Sequence, residues 1–368
     1  MIRKLRGFAR ENKSVEKINV LVLGVGGNVS QGIIKAILMS KLNVNIVGAC
    51  INSDSLGLYM CDTAYLSPLA SDEKFIPWLI NICQNENIHM ILTGVEEVIE
   101  KISTNYEYMK LYTKANFLFT PYEKLMIGQD KLSTCEWLRH NNCNYPLYCS
   151  SNDAKGLEEL IQKTKFPLIA KPRKGKGSQG IFIINDYAGL AKLKDMPDYV
   201  VQEYIGNESS EYTVGCYCDR HGELIEIIIM HRELKYGTTF KASVVEHKQI
   251  REEAVKICDK FRPIGPLNIQ FRIDQHGRPV CFELNVRFSG TTPMRAYFGY
   301  NDVEAMIREY ILNEDIRSIF HIKKGTAYRY FDEMYIDESM KYKLEQDKVV
   351  ENTCTYNNIA IGYGRGSV

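Results

Sequence analysis

The chain has 368 residues, with 46 lysines and arginines against 45 acidic residues and a formal net charge of +1. That length exceeds one ordinary core and predicts two or three domains, and the balanced charge argues against nucleic acid or an anionic membrane as the main partner. No apolar run approaches the roughly 18 residues of a membrane span. The opening MIRKLRGFARENKSVEK lacks the apolar core of a signal peptide, and the eleven scattered cysteines imply no disulfide framework, so a soluble chain in a reducing cytoplasm is expected.

The N-terminal third alternates strands and helices. INVLVLG leads into GVGGNVSQGIIKAILMS, followed by the strand NIVGACI, a helix around KFIPWLINICQ and the strand HMILTG. This βαβ pattern predicts a parallel, doubly wound sheet. Gly24, Gly26, Gly27 and Gly32 do not make a dinucleotide fingerprint, because Val29 stands where G-x-G-x-x-G needs its last glycine. A tight strand-to-helix turn accounts for them without a cofactor. Glu96 and Glu97 follow the strand end at Thr93 and Gly94, where such sheets place ligand-facing residues, and are candidates for a substrate pocket.

From about residue 121 the pattern changes. Pro121 and the helix KLMIGQDKLSTCEWLRHNN precede FPLIAKPRKGKGSQGIFII, in which two short apolar strands flank a loop of glycines and basic residues. Such a loop lets backbone amides approach a phosphate closely. It is not a Walker A loop, since it runs into a strand where a Walker loop would open a helix; a mobile surface turn has the same composition. Beyond Val200 the strands are long and joined by turns such as DRHGE and DQHGR, which predicts an antiparallel sheet. Cys216 and Cys218 are expected to pack, and His231 and His247 to be structural. Arg232, Lys235 and Lys241 are candidates for holding phosphate or a substrate carboxylate, with a solvated basic loop as the alternative. The tail from Lys341 is weakly patterned.

The most informative stretch is PLNIQFRIDQHGRPVCFELNVRFSGTTP, residues 266–293. Strand alternation puts Glu283, Asn285 and Arg287 on one face and Phe282, Leu284, Val286 and Phe288 on the other; on the preceding strand Asn268, Gln270 and Arg272 oppose Leu267, Ile269, Phe271 and Ile273. A two-residue turn at His276 and Gly277 pairs Gln275 with Arg278, and so sets Gln270 opposite Glu283 and Asn268 opposite Asn285. Directly paired Cβ atoms lie about 4.5 to 5.5 Å apart, close enough to share one hard cation. A solvated polar sheet face would show the same alternation, so the order of the other motifs has to decide.

Together these segments resemble the ATP-grasp superfamily, in particular its carbamoyl-phosphate-synthetase-like carboxylate-amine ligases, from about INVLVLG to AYRYFDEMY. The resemblance implies an N-terminal doubly wound parallel sheet, the pre-ATP-grasp domain (residues 1–120), and a two-lobed ATP-grasp fold with antiparallel sheets. Its small lobe with the flap would span 121–199 and its catalytic lobe 200–368. Asp130 and Lys131 match the opening of the nucleotide-binding part, and Lys171 matches the lysine on the strand before the flap, whose Lys176, Gly177 and Ser178 would cover phosphates. Gln202, Glu203 and Tyr204 match the adenine hinge, Glu211 the ribose-contacting acid, and Asn268 a further nucleotide contact. Gln270, Glu283 and Asn285 match the metal ligands and Arg287 the catalytic arginine. Without the resemblance, Lys131 reads as a surface helix residue, Lys171 as a lysine snorkelling from a strand end, and Glu211 as loop charge. The implied cofactors are ATP and Mg²⁺, with Mn²⁺ as an alternative, and the partners a small-molecule carboxylate and an amine, with a homodimer as one assembly the resemblance allows. The alternatives are a carboxylase, a formyl-phosphate type ligase, or a non-catalytic ATP-binding regulator.

Overall fold

The computed structural model describes residues 17–352 apart from 118–119, 176–178 and 208–209. Two compact units emerge: Met1–Leu118 with Val303–Asp315 and Tyr330–Val368, and Phe119–Asp302 with Ile316–Arg329. The first contains β1 (Ile18–Leu23), β2 (Val44–Cys50), β3 (Thr63–Leu66), β4 (Met90–Thr93) and β5 (Asn116–Phe117). The second contains β6 (Tyr148–Ser150), β7 (Leu168–Pro172), β8 (Phe182–Ile184), β9 (Tyr199–Glu203), β10 (Glu211–Cys218), β11 (Leu224–Lys235), β12 (Thr238–Val244), β13 (Gly265–Ile273), β14 (Pro279–Asn285) and β15 (Thr326–Tyr328). β16 (Val349–Glu351) belongs to the first unit.

In the first unit β1 to β5 run parallel in the order β3-β2-β1-β4-β5, and β16 adds antiparallel to β3. The almost wholly buried apolar run of β1 is what a sheet covered on both faces requires. The weakly patterned tail thus supplies a strand, and Asn352 anchors it by donating to the carbonyls of Leu58 and Cys61 at 2.9 and 2.8 Å. The glycines after β1 have a steric explanation. A Cβ on Gly26 would lie 2.8 Å from Ser55 Oγ, and one on Gly57 would lie 2.1 Å from the Val25 carbonyl, so the two turns need glycine to lie against each other.

The second unit holds two antiparallel sheets, β6-β9-β7-β8 and β14-β13-β10-β11-β12-β15. The small sheet buries Leu168, Ala170, Ile184 and Val201 against Leu160 and Ile161 of the helix Ala154–Thr164. The large sheet buries Leu267, Ile269, Phe271 and Leu284, together with Ile250, Ala254 and Ile257 of the helix Lys248–Phe261. Cys216, Cys218 and Cys258 are buried together, and the neighbouring Cys216 and Cys218 hold the Cys258 thiol's pKa well above its ordinary value.

The β13–β14 hairpin corrects two expectations. The turn has three residues, not two: the Asp274 amide donates to the Arg278 carbonyl at 3.0 Å, and Gly277 takes the left-handed conformation at φ 77°. The pairing then slips by one between Gln270 and Phe271, so Phe282 is the extra residue of a β-bulge. The two departures cancel. Gln270 still faces Glu283 and Asn268 still faces Asn285. Phe282, however, does not join the apolar face, because the bulge turns its ring toward Lys171 and Arg272.

Candidate nucleotide and metal site

Glu283 and Asn285 project from β14 on one face, and the Asn285 Nδ2 donates to Glu283 Oε1 at 3.0 Å. Gln270 stands directly across from Glu283, with its Oε1 accepting from Arg232 Nη2 at 2.7 Å. Arg287 lies two residues past the end of β14 and donates through Nη1 to the Phe288 carbonyl at 3.0 Å. The donor set is one carboxylate and two carboxamides, a hard-oxygen set that fits Mg²⁺ and lacks the thiolate or imidazole that zinc selects. Among the described residues no cluster of three or more histidines, cysteines or acids offers a competing metal site.

Lys171 comes to this face from the small sheet. Its Nζ sits 4.7 Å from the centroid of the Phe282 ring. Burial pulls its pKa down to about 8, and the charge of Glu283 resists that fall. An ammonium held this dry is primed for an anion, since a phosphate would restore what burial removes.

The base of the flap is tied to the helix Lys131–His140. Asp130 caps that helix, accepting from the amides of Leu132 and Ser133 at 2.9 and 3.5 Å. The same carboxylate receives Arg173 Nε at 3.1 Å and Nη2 at 2.5 Å, while Lys131 Nζ donates to the Gly175 carbonyl at 3.2 Å. Burial alone would raise the Asp130 pKa, but Arg173 and the two amides hold it below the usual carboxylate value. Lys176, Gly177 and Ser178 lie outside the described residues.

The hinge residues are partly committed. Gln202 lies inside β9 between β6 and β7, with its side-chain amide donating to Cys135 Sγ at 3.0 Å. The Glu203 amide donates to the Leu147 carbonyl at 2.9 Å and its carboxylate accepts from the Leu147 amide at 2.8 Å, so Tyr204 is the first of the three beyond the sheet pairing.

Both oxygens of Glu211 are occupied. Oε1 accepts from Arg232 Nε and Nη2 at 2.9 and 2.5 Å, and Oε2 from Arg272 Nε and Nη2 at 3.1 and 2.9 Å. Burial would raise this carboxyl's pKa, and the two guanidinium groups overcome it. Arg232 is therefore a buried strut between Glu211 and Gln270. Lys241 pairs with Glu233 at 2.6 Å, and Lys235 lies 4.1 Å over the Phe240 ring. Asn268 is buried, and its Oδ1 accepts from Thr213 Oγ1 at 2.7 Å and from Arg295 Nη2.

Three participants do not stand out in the sequence. Arg173 reads in the sequence only as one of the basic residues of the flap loop, with nothing to mark it as the partner of Asp130, and Phe282 reaches the site through a bulge that alternation cannot foresee. Arg295 has one faint signal, Gly215 in the middle of a strand, where a missing side chain often marks close approach.

Two antiparallel sheets in one unit, the smaller with a glycine-rich basic connection between β7 and β8 and the larger with an oxygen-donor hairpin, are those of an ATP-grasp domain, here in a chain that also carries a doubly wound domain. The comparisons make this particular: residues 20–112 match the PylC-like N-terminal domain, and residues 195–334 match the family of ATP-grasp proteins in the biosynthetic pathway with Ter operon. The carbamoyl phosphate synthase large chain of Methanocorpusculum labreanum is 20% identical over 307 residues, 76% of this chain and 28% of that one. The D-alanine–D-alanine ligase of Petrotoga mobilis is 30% identical over 132 residues, 31% of this chain and 43% of that one. The chain spans less than half the length of each of these two relatives. The crystal structure of N5-carboxyaminoimidazole synthetase from Staphylococcus aureus complexed with ADP has the same fold, with a TM-score of 0.67 at 18% identity over 84% of this chain and 81% of that one.

Proposed function

We propose that this protein is an ATP-dependent, ADP-forming ligase that activates a small-molecule carboxylate as an acyl phosphate and joins it to an amine. The observation that carries the reading is the convergence of Gln270, Glu283 and Asn285 on one face with the desolvated ammonium of Lys171 above them. A carboxylate oxygen attacks the γ-phosphorus and ADP leaves. The amine then attacks the acyl carbon, the C–O bond to phosphate breaks, and the amine loses a proton as the amide forms.

Mg²⁺, held by Glu283, Asn285 and Gln270, would draw charge from the phosphate oxygens. Lys171 and Arg287 would balance charge on the transferring group, and Lys131, already bonded to the flap backbone, would couple flap position to phosphate binding. Tyr204 and the chain following β9 would contact adenine. Glu211, whose two oxygens already accept four bonds from its two arginines, would have to give one of them up to meet the ribose. The reading requires no protein nucleophile. It is supported by the D-alanine–D-alanine ligase match and by the likeness, at a TM-score of 0.64 and 16% identity, to an L-amino acid ligase from Bacillus licheniformis. The test is ADP release by the purified protein across a matrix of carboxylates and amines, with products identified by mass spectrometry. ATP turnover absent from every combination would refute it.

A further inference from the structure

Arg295 is 1% exposed, yet it lies beside the proposed site and not in an ion-pair network on the surface. Its Nη2 donates to Asn268 Oδ1 and, at 3.1 Å, to Thr213 Oγ1, while the Thr213 hydroxyl donates to the same Asn268 oxygen at 2.7 Å. Nε has no hydrogen-bond partner. The approach depends on Gly215, because a Cβ there would stand 2.5 Å from Arg295 Nη1 and 2.8 Å from its Cζ. Burying an arginine so completely is costly, and apolar residues of similar volume would pack the space with less penalty.

A guanidinium can only donate, so the Asn268 atom facing it has to be the oxygen, and the amide nitrogen is turned to the opposite side. Asn268 is paired directly with Asn285, two residues along the strands from the Gln270–Glu283 pair and so on the same face. We infer that Arg295 is a positioning residue: it locks Asn268 with its Nδ2 donor, not its oxygen, toward the phosphate site, making Asn268 a donor to the terminal phosphoryl group and removing it from the metal ligands. A free carboxamide would present either end, and the oxygen end would repel a phosphate. This inference rests on the ligase reading of the site.

The test compares dissociation constants of Mg·AMP-PNP and Mg·ADP by calorimetry for wild type, Arg295→Met and Gly215→Ala. Arg295→Met removes the lock; Gly215→Ala keeps the arginine but pushes its flexible end off Asn268, so it reports even where the first variant fails to fold. Loss of a donor to a charged group predicts roughly tenfold or greater weakening of AMP-PNP, with ADP changed by less than about threefold. Arg295→Lys, which retains a donor, should recover part of the difference. A role confined to packing would lower the unfolding midpoint and shift both ligands alike. An unchanged ratio of the two constants in folded Arg295→Met or Gly215→Ala overturns the inference and leaves the ligase reading standing, whereas a wild type that binds neither nucleotide overturns both.

Discussion

Replacing Lys171 separates its functional value from its structural cost. With a pKa near 8 in the folded chain, its ammonium is about 90% populated at pH 7 and about 10% at pH 9, against an ordinary value of 10.5. If only the charged form holds phosphate, the Mg·AMP-PNP dissociation constant should rise by about tenfold per pH unit above 8, and in Lys171→Arg it should stay flat from pH 6.5 to 10. The folded pKa is depressed, so the unfolded chain binds more protons between pH 8 and 10.5, and stability should rise with pH across that window. Below pH 8 the full penalty is present, about 3 kcal/mol for the shift from 10.5 to about 8. Lys171→Met should therefore bind nucleotide poorly while unfolding at a higher temperature at pH 7. Superimposable pH profiles for wild type and Lys171→Arg, or a lower midpoint for Lys171→Met, would refute the reasoning.

Glu283→Gln removes the sole carboxylate of the oxygen set and should abolish ATP turnover with near-normal far-UV circular dichroism; a folded variant that still turns over ATP would sink the metal assignment. Arg287→Ala should depress kcat by roughly a hundredfold or more and change ATP affinity by only a few fold, read from steady-state kinetics and calorimetry. Asp130→Asn takes the charge from the Arg173 pair and leaves the helix cap, so limited proteolysis between residues 173 and 180 should accelerate while the melting point moves little. Hydroxylamine supplied with the right carboxylate should yield a hydroxamate and ADP, whereas AMP and pyrophosphate as the nucleotide products would show a different reaction.

The parallel sheet, the flap strands and the facing pairs on the hairpin were legible because each is written in a local pattern: buried apolar runs, glycines between short strands, and a period of two. The register around Glu283 was reached through a turn one residue too short, and the β-bulge at Phe282 absorbed the difference. Alternation carries no information about bulges, since the extra residue is specified by packing against Lys171 and Arg272 from elsewhere in the chain. β16 escaped notice for a related reason. Three residues, VVE, have no period to detect, and their strand character comes from the edge of β3.

The charges of Glu211, Arg232 and Arg272 show why a polar face could be recognised but its partners could not be assigned. Position and alternation put Arg272 with Gln270, and the basic run from Arg232 to Lys241 was visible as a whole. Only three-dimensional pairing distinguishes Arg232, buried and bonded to Glu211 and Gln270, from Lys241, which meets Glu233 at the surface. Removing one partner from a buried set leaves an uncompensated charge, which costs about 3 to 5 kcal/mol, whereas an exposed pair is worth about 1 kcal/mol or less. Arg272 and Glu211 are direct neighbours on β13 and β10, and Arg232 reaches across from β11, so this one carboxylate links three adjacent strands of the large sheet. A one-residue slip of β10 would separate the acid from both bases, and a slip of β11 or β13 would separate it from the base that strand carries. The network thus holds Gln270 in place opposite Glu283, and the same contacts that make Glu211 a poor candidate for a freely accepting ribose ligand make it a register lock for the site.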